Sequence, residues 1–378
     1  MKTKTILILG GYGNTGSLIA DLLLRESNAK VVIAGRDVEK AKVLAYSFNQ
    51  KYNEKRVFAT RVDASNFQSL QTAFAKVDFV VVASSTIEYV ENVAKAAIEA
   101  GIDYLDTQLS THNKLQTLYS LQTDIEKAGC CFITDGGFHP GVPAALVRYA
   151  ASQMDTVEKA NVGSVIQLNW KEMKLSESTV REMVQELRNF LPVAFKDGQW
   201  VKMSYKENQK FDFGGEFGEQ ACIPMYLEEM HSLPETFNSL RETGFYVGGF
   251  NWFTDYIVIP FTIVAMSIWP KVAEKPIAKL LEWSLRNFSK PPFGTLLFME
   301  AVGLKDEKRV LVNVKLSHQD GYVLTAVPVV ACLLQYFDNE INQTGLYFQA
   351  NVVEPTLFLR DIERLGIHFE IEEYDIKS

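Results

Sequence analysis

Residues 5–37 read TILILGGYGNTGSLIADLLLRESNAKVVIAGRD, and the fold turns on them. Thr5 to Leu9 is a short apolar, partly β-branched run, as in a strand buried on both faces. Glycines follow at once, in the order Gly11-Tyr12-Gly13-Asn14-Thr15-Gly16. Ser17 to Arg25 then carries apolar residues at helical spacing, and Val31 to Ala34 is a second strand run. A G-x-G-x-x-G alone is a weak signal. Between a strand and a helix it is the context a dinucleotide-binding loop needs. There Gly11 serves the tight turn, Gly13 lets a pyrophosphate approach the backbone, and Gly16 lets helix and strand pack closely. Unpaired N–H groups and the positive dipole end of the helix face the phosphates.

The second strand run ends in Ala34-Gly35-Arg36-Asp37. An acidic residue here binds the ribose 2′-hydroxyl of NAD and repels a 2′-phosphate. Arg36 suits the 2′-phosphate of NADP, as a guanidinium fork on phosphate oxygens. Asp37 pulls the other way, so NADP is the favoured cofactor and NAD the second choice. Asp63-Ala64, after the third strand, is placed to contact the adenine edge, although Asp63 reads equally as a helix N-cap before Phe67. Ser84-Ser85 closes the fourth strand near the crevice where such sheets bind ligands.

Outward from this stretch the alternation continues. Strand runs at 57–62, 79–83, 102–106 and 130–134 are separated by helical patterns at 38–48, 67–75, 90–100 and 115–128. Gly101 is a C-cap after the helix 90–100. This predicts an α/β fold over residues 1–150, a Rossmann doubly wound parallel sheet with helices on both faces. Past residue 150 the pattern changes. Strands at 161–169, 200–205 and 310–316 and helices at 177–190, 255–290 and 328–341 predict a second, α+β domain over 151–325, for substrate specificity or dimerisation. Residues 326–378 are expected to pack back on the first domain.

The chain has 378 residues with 38 basic and 46 acidic side chains, a net charge of 38 − 46 = −8. That balance gives no general attraction to nucleic acid. Four cysteines are too few for a disulfide scaffold and lack zinc spacing, so they read as reduced, mostly buried thiols. The strand pattern begins almost at the N-terminus without a signal peptide, which makes the cytoplasm the expected location.

These segments together resemble the saccharopine dehydrogenase family, the saccharopine reductase-like oxidoreductases. The loop GGYGNTG with the AGRD after strand two carries part of the likeness. More specific are VVVASSTIEYVENVAKAAIEAGIDYLDTQ at 80–108, ending in an aromatic, one residue, then Asp, and GGFHPGVPAALV at 136–147. KFDFGGEFG at 210–218 and HQDGYVLTAVPVVA at 318–331 are weaker pieces. The resemblance implies an NAD(P)-dependent oxidoreductase, with hydride transfer at a C–N centre of an amino-acid-like substrate. His139 stands where saccharopine reductases typically carry an acid before Pro-Gly, which argues against saccharopine itself. The short-chain dehydrogenases are a rival family, but none of the 15 tyrosines is followed by Lys in a Tyr-x-x-x-Lys.

Hydride transfer at a C–N bond also needs a proton donor or acceptor. Tyr104 and Asp106 end strand five and are expected to face the crevice, with Asp106 as base or nicotinamide orienter. His139, in a glycine-rich loop, is a natural proton shuttle near neutral pH. The backbone of Gly136, Gly137 and Gly141 could instead provide a close approach to substrate. Arg181 and Arg241 are candidates for a substrate carboxylate. The remaining histidines have no metal-ligand spacing, and no metal is expected. The substrate is expected over the nicotinamide, between Tyr104, Asp106, the 136–141 loop and the second domain.

One stretch stands apart. Trp252 to Trp269 is 18 residues with a single charge, Asp255, and an internal Pro260. Lys271 to Lys290 follows with five basic and two acidic residues, net +3. The segment 252–290 reads as buried core or homodimer interface, as a peripheral membrane contact, or as a span. Two further functions are therefore weighed: a membrane-associated reductase of the same fold acting on a lipid-like substrate, and a non-catalytic NADP-binding redox sensor.

Overall fold

The computed structural model describes residues 3–173, 177–188, 190–204 and 207–376. They divide into two units. The first runs to Ala145 and takes in Tyr322–Ile367; the second holds Leu146–Gly321 and the chain from His368 onward. The chain thus crosses between units at 145/146 and 321/322, against the expected 150 and 325. The C-terminal segment, expected as one piece, is shared between the two units.

In the first unit the alternation yields β1 (Thr5–Leu9), α1 (Asn14–Glu26), β2 (Lys30–Gly35), α2 (Val38–Lys51), β3 (Val57–Arg61) and α3 (Phe67–Phe74). Then come β4 (Phe79–Val82), α4 (Val90–Ala100), β5 (Asp103–Asp106), α5 (His112–Ser120), α6 (Gln122–Lys127) and β6 (Cys131–Thr134). The strands lie side by side as β3-β2-β1-β4-β5-β6, each neighbouring pair parallel. The order reverses between β1 and β4, the place where open α/β sheets bind ligands at the carboxyl ends of their strands. Leu7, Val80, Val82 and Phe132 from the strands pack with Leu70, Phe74, Val93 and Leu118 from the helices. Local chemistry sets the helix ends. Asp37, Asn66 and Thr111 side chains cap α2, α3 and α5, and α4 stops at Gly101 with φ +62°.

α7 (Pro143–Ser152) spans the crossing into the second unit. There β7 (Thr156–Gln167), α8 (Glu177–Arg188), β8 (Val193–Lys196), β9 (Gln199–Lys202), β10 (Gln209–Asp212), β11 (Glu219–Met225), α9 (Leu233–Thr236) and β12 (Glu242–Gly248) precede α10 (Ile259–Ile268), α11 (Pro270–Phe288), β13 (Gly294–Lys305) and β14 (Lys308–His318). The sheet runs β10-β11-β12-β7-β13-β14, and the C-terminal strand His368–Asp375 closes it beyond β14. It is mixed: β12 and β7 are parallel, while β7 pairs antiparallel with β13 and β13 with β14. Part of KFDFGGEFG forms the β10–β11 turn, where Gly214, Gly215 and Gly218 all have positive φ.

The apolar stretch is only partly core. Pro260 lacks an N–H and sits in the first turn of α10, directly after a π-helical turn at Thr254–Val258. Val258, Ala265 and Met266 join Val184, Ile277, Leu281 and Leu285 in a local core. Among the described residues no helix is long and apolar enough to cross a membrane.

The chain then returns to the first unit through α12 (Gly321–Phe337), β15 (Gly345–Phe348), α13 (Gln349–Val352) and α14 (Pro355–Arg364). β15 adds a parallel strand beyond β6. From α12, Tyr336 packs edge-on against Phe79, and its hydroxyl donates to Asp103.

Candidate functional site

The glycine loop joins β1 to α1 at the switch point. Gly10, absent from the sequence reading, is the residue with left-handed backbone, φ +83°. A Cβ there would meet the Ala83 carbonyl oxygen at 2.6 Å and Ser84 Cβ at 2.7 Å. Gly10 thus shares the tight turn with Gly11, whose N–H donates to the Ile8 carbonyl at 3.1 Å and where a Cβ would meet that oxygen at 2.8 Å. Gly16 has the expected packing role: its Cβ would fall 2.3 Å from the Gly10 carbonyl oxygen. Gly13 is the N-cap of α1, and a Cβ there would meet only that same oxygen, at 3.1 Å. α1 has no side-chain cap and no acidic residue in its first turn. Its first N–H groups, at Asn14, Thr15 and Gly16, lack intrahelical partners, and its positive dipole end is uncompensated. This is a cradle for an anion that approaches the backbone.

The end of β2 forms the second part. A cavity of about 630 Å³ is lined by Tyr12, Arg36, Asp37, Val38, Lys40 and Arg61. Tyr12 walls it: its ring lies where a Gly35 Cβ would be, within 2.8 Å, and its hydroxyl accepts from the Asp37 N–H at 3.1 Å. Asp37 is occupied as the α2 cap, its Oδ1 accepting from the Glu39 and Lys40 N–H groups at 3.2 Å each. The Lys40 N–H in particular holds its carboxyl below the usual aspartate range. Three cations thus share the cavity with one engaged carboxylate. Lys40 and Arg61 were not read from the sequence. The β2–β3 register sets Arg61 opposite Gly35, and Lys40 lies in the first turn of α2.

The neighbouring candidates differ from expectation. Asp63 is not the N-cap of α3, because Asn66 fills that role. Asp63 Oδ1 instead accepts from the Ser65 N–H and hydroxyl. Those bonds, with Arg36 and Arg61 nearby, lower its pKa. Ala64 is buried. Ser84 shares a hydroxyl bond with Thr86 at 2.9 Å, its carbonyl accepts from Gln108 Nε2, and Ser85 is exposed.

Tyr104 and Asp106 are fully buried rather than presented to a crevice. Tyr104 stacks on Phe132, and its hydroxyl donates to Asp106 Oδ2 at 3.0 Å. Thr134 donates to the same oxygen at 2.8 Å; Lys114 Nζ and the Gln108 N–H donate to Oδ1. Lys114, unremarked in the sequence, is buried too and also donates to Asp135 Oδ1 at 2.6 Å and to the Gln108 carbonyl at 2.8 Å. Burial opposes its charge, yet Asp106 and Asp135 keep its pKa above the ordinary lysine value. Burial raises Asp135, with Lys114 opposing and Asp106 adding to the rise.

Asp135, with φ +57°, opens the loop to His139. Gln349 of α13 clamps that loop: its Oε1 accepts from the Gly137 N–H, and its Nε2 donates to the Gly137 and Gly141 carbonyls. A Cβ at Gly141 would meet the Gly137 oxygen at 2.5 Å, so that glycine is required by the loop itself. His139 does not titrate near neutrality, because burial pushes its pKa down to about 4. Arg241 is exposed, and the side chain of Arg181 lies outside the described residues. No cluster of three metal-ligating side chains occurs among the described residues.

With this geometry in view, comparison with known proteins is informative. Residues 6–129 match the family described as saccharopine dehydrogenase NADP binding domain. Over that stretch the chain is similar to this family. The fold is that of the apo saccharopine dehydrogenase (L-Glu forming) from Saccharomyces cerevisiae. That likeness covers 98% of this chain and 100% of the yeast protein, at 14% identity and a TM-score of 0.68. Weaker likenesses are to a dehydrogenase from Chromobacterium violaceum, at 10% identity and TM-score 0.46 over 96% of this chain and 94% of that one. GenD2 from gentamicin A biosynthesis, solved with NAD, matches at 16% identity and TM-score 0.42 over 100% and 97%.

Proposed function

We propose that this saccharopine dehydrogenase-like chain is an NADP-preferring oxidoreductase that moves a hydride at a C–N centre of an amino-acid-like substrate. One observation carries the cofactor choice. Arg36, Lys40 and Arg61 line the cavity at the end of β2, while Asp37 is engaged as the cap of α2. A 2′-phosphate there meets guanidinium and ammonium groups, while Asp37 has Oδ1 on the α2 N–H groups and Oδ2 3.6 Å from Lys40 Nζ. The glycine cradle fits the same ligand, since α1 begins uncapped and its first N–H groups suit a pyrophosphate. The bound dinucleotide supplies or accepts the hydride. The chain's own residues hold its phosphates, place its adenosine end against Tyr12, and exchange a proton. The amino-acid-like substrate rests on the family of the dinucleotide domain and on the L-Glu-forming yeast protein that shares the fold.

For the proton, Tyr104 and Asp106 act by position, holding Lys114 and the strand ends beneath the 136–141 loop. Burial keeps His139 neutral at pH 7, and we propose it as the acceptor of the N–H proton released when the amine is oxidised. The full burial of Tyr104 and Asp106 favours one other reading, an NADP-binding sensor without turnover. A thermal-shift titration with NADPH and NADH tests the cofactor choice. At 100 times its dissociation constant a ligand adds about 2.7 kcal/mol of stability. NADPH should give the larger shift at equal concentration, and Arg36→Ala should remove the difference. An equal or larger NADH shift would overturn the preference. Oxidation of amino-acid-like secondary amines with NADP, followed by NADPH absorbance, separates enzyme from sensor.

A further inference from the structure

The segment 252–290 is unusual in what it leaves uncovered. Ten large apolar side chains between Trp252 and Trp283 are each more than a third exposed. Exposed apolar side chains gathered in one segment in this number mark an interaction site rather than ordinary surface. α10 buries Thr262, Ala265 and Met266, and turns Phe261, Val264 and Ile268 outward. Tyr256 is 79% exposed, Trp269 63% and Val272 77%. From Tyr256 to Pro270 the sequence has no charged residue. Most of the backbone here is helical and hydrogen-bonded within itself, as a face entering an apolar medium requires.

The rim carries a definite charge. On α11, Val272, Lys275, Pro276, Lys279 and Trp283 fall on one exposed face, and Lys290 beyond it is exposed too. The acidic residues of α11 are less available: Glu274 and Glu282 are half-buried, and Glu282 pairs with Arg286. An apolar centre bordered by lysines and by the indole rings of Trp252, Trp269 and Trp283 complements an anionic lipid surface. Tryptophan and tyrosine favour headgroup depth, and lysines meet phosphates. A second copy of this chain fits less well. A two-fold contact through α11 sets the lysine row against itself or against uncharged surface, since among the described residues the exposed charges of α11 are basic.

We propose that the exposed face of residues 252–283 seats the protein on an anionic lipid surface, with α10 in the plane of the interface and Lys275 and Lys279 on lipid phosphates. The contact is monotopic, in keeping with the absence of a helix long enough to span among the described residues.

Flotation of the full chain with phosphatidylcholine vesicles, with and without phosphatidylserine, tests this. Binding should be at least about tenfold tighter with phosphatidylserine. Phe261→Asp with Ile268→Asp should abolish flotation on both vesicles. Lys275→Glu with Lys279→Glu should remove the phosphatidylserine preference. These positions are exposed, and an unchanged melting temperature verifies that each variant is folded. In the unmodified protein, dibrominated lipid should quench tryptophan fluorescence, less so in Trp269→Phe. Failure of the wild-type chain to float with either vesicle overturns the proposal. So does a wild-type dimer that Phe261→Asp with Ile268→Asp dissociates while vesicles stay unbound, since a second copy would then cover the face.

Discussion

Lys114 is held at 2.9 Å from Asp106 and 2.6 Å from Asp135, with its side chain fully out of solvent. A buried ion cluster adds little over apolar packing, but removing one member leaves a charge stranded, typically at a cost of 3–5 kcal/mol. Lys114→Met should therefore lower stability by about 3–5 kcal/mol in denaturant melts. Tyr104→Phe removes one of the four donors to Asp106 and should cost only about 1 kcal/mol. A smaller loss for Lys114→Met than for Tyr104→Phe would mean that the aspartates protonate without penalty. The same cluster marks the limit of reading residues from sequence. Tyr104 and Asp106 are two apart on a strand, so they share a face, and that was legible. Which way the face points depends on α5 and β6, which bring Lys114, Thr134 and Asp135 under it. No spacing rule links position 114 to 106 and 135.

At the scale of elements, the β1–loop–α1 unit separates two kinds of glycine. Gly16→Ala forces a Cβ to within 2.3 Å of a backbone oxygen, so helix and strand must part. We expect a loss of at least about 2 kcal/mol without any ligand present. Gly13→Ala meets that oxygen at 3.1 Å and should cost under about 1 kcal/mol, its main effect being weaker NADPH binding. Apo melting curves and NADPH titrations of both variants distinguish fold from ligand contact. A second element-scale test concerns the π-helical turn before α10. There burial raises the Asp255 pKa to about 6, against backbone hydrogen bonds from Phe250 and Asn251. The folded state therefore holds this proton more tightly than the unfolded state, whose aspartate titrates near 3.9. Asp255 thus costs nothing below about pH 4, and stability falls as pH rises through about 6, by up to ~3 kcal/mol. Asp255→Asn should flatten that part of the stability–pH profile, and an unchanged profile would refute the assignment. Six of the seven strands of the first sheet were legible because each is a short apolar run between helical patterns; β15 was not. In the second unit β8, β10 to β13 and the C-terminal strand were not: β10, β11 and the C-terminal strand are largely exposed or half-buried, and the mostly buried β12 and β13 show no regular alternation.

For the molecule as a whole, the first unit is discontinuous, and this has a consequence for folding. β15 pairs with β6, Tyr336 reaches Asp103, and Gln349 holds the 136–141 loop through three hydrogen bonds, all from residues beyond 321. α12 alone buries Leu324, Val327, Val329, Val330, Leu333 and Tyr336. Fully burying one such side chain contributes about 1.5–3 kcal/mol, so the loss of six, about 9–18 kcal/mol, is comparable to the 5–15 kcal/mol that stabilises a typical domain. The helix pattern at 328–341 was visible in the sequence, but its partner strand lies some two hundred residues earlier, a distance over which apolar periodicity carries no pairing information. A chain ending at residue 150 should consequently show no cooperative melt, although it holds the glycine loop, Arg36, Lys40 and Arg61. Joining residues 1–145 to 322–367 through a flexible linker should restore a cooperative transition that NADPH shifts upward. If the 1–150 fragment melts cooperatively by itself, the returning segment is a cover and not a part of the folding unit. If the fusion folds but ignores NADPH, the cationic cavity at the end of β2 is insufficient for the cofactor, and the proposed preference falls with it.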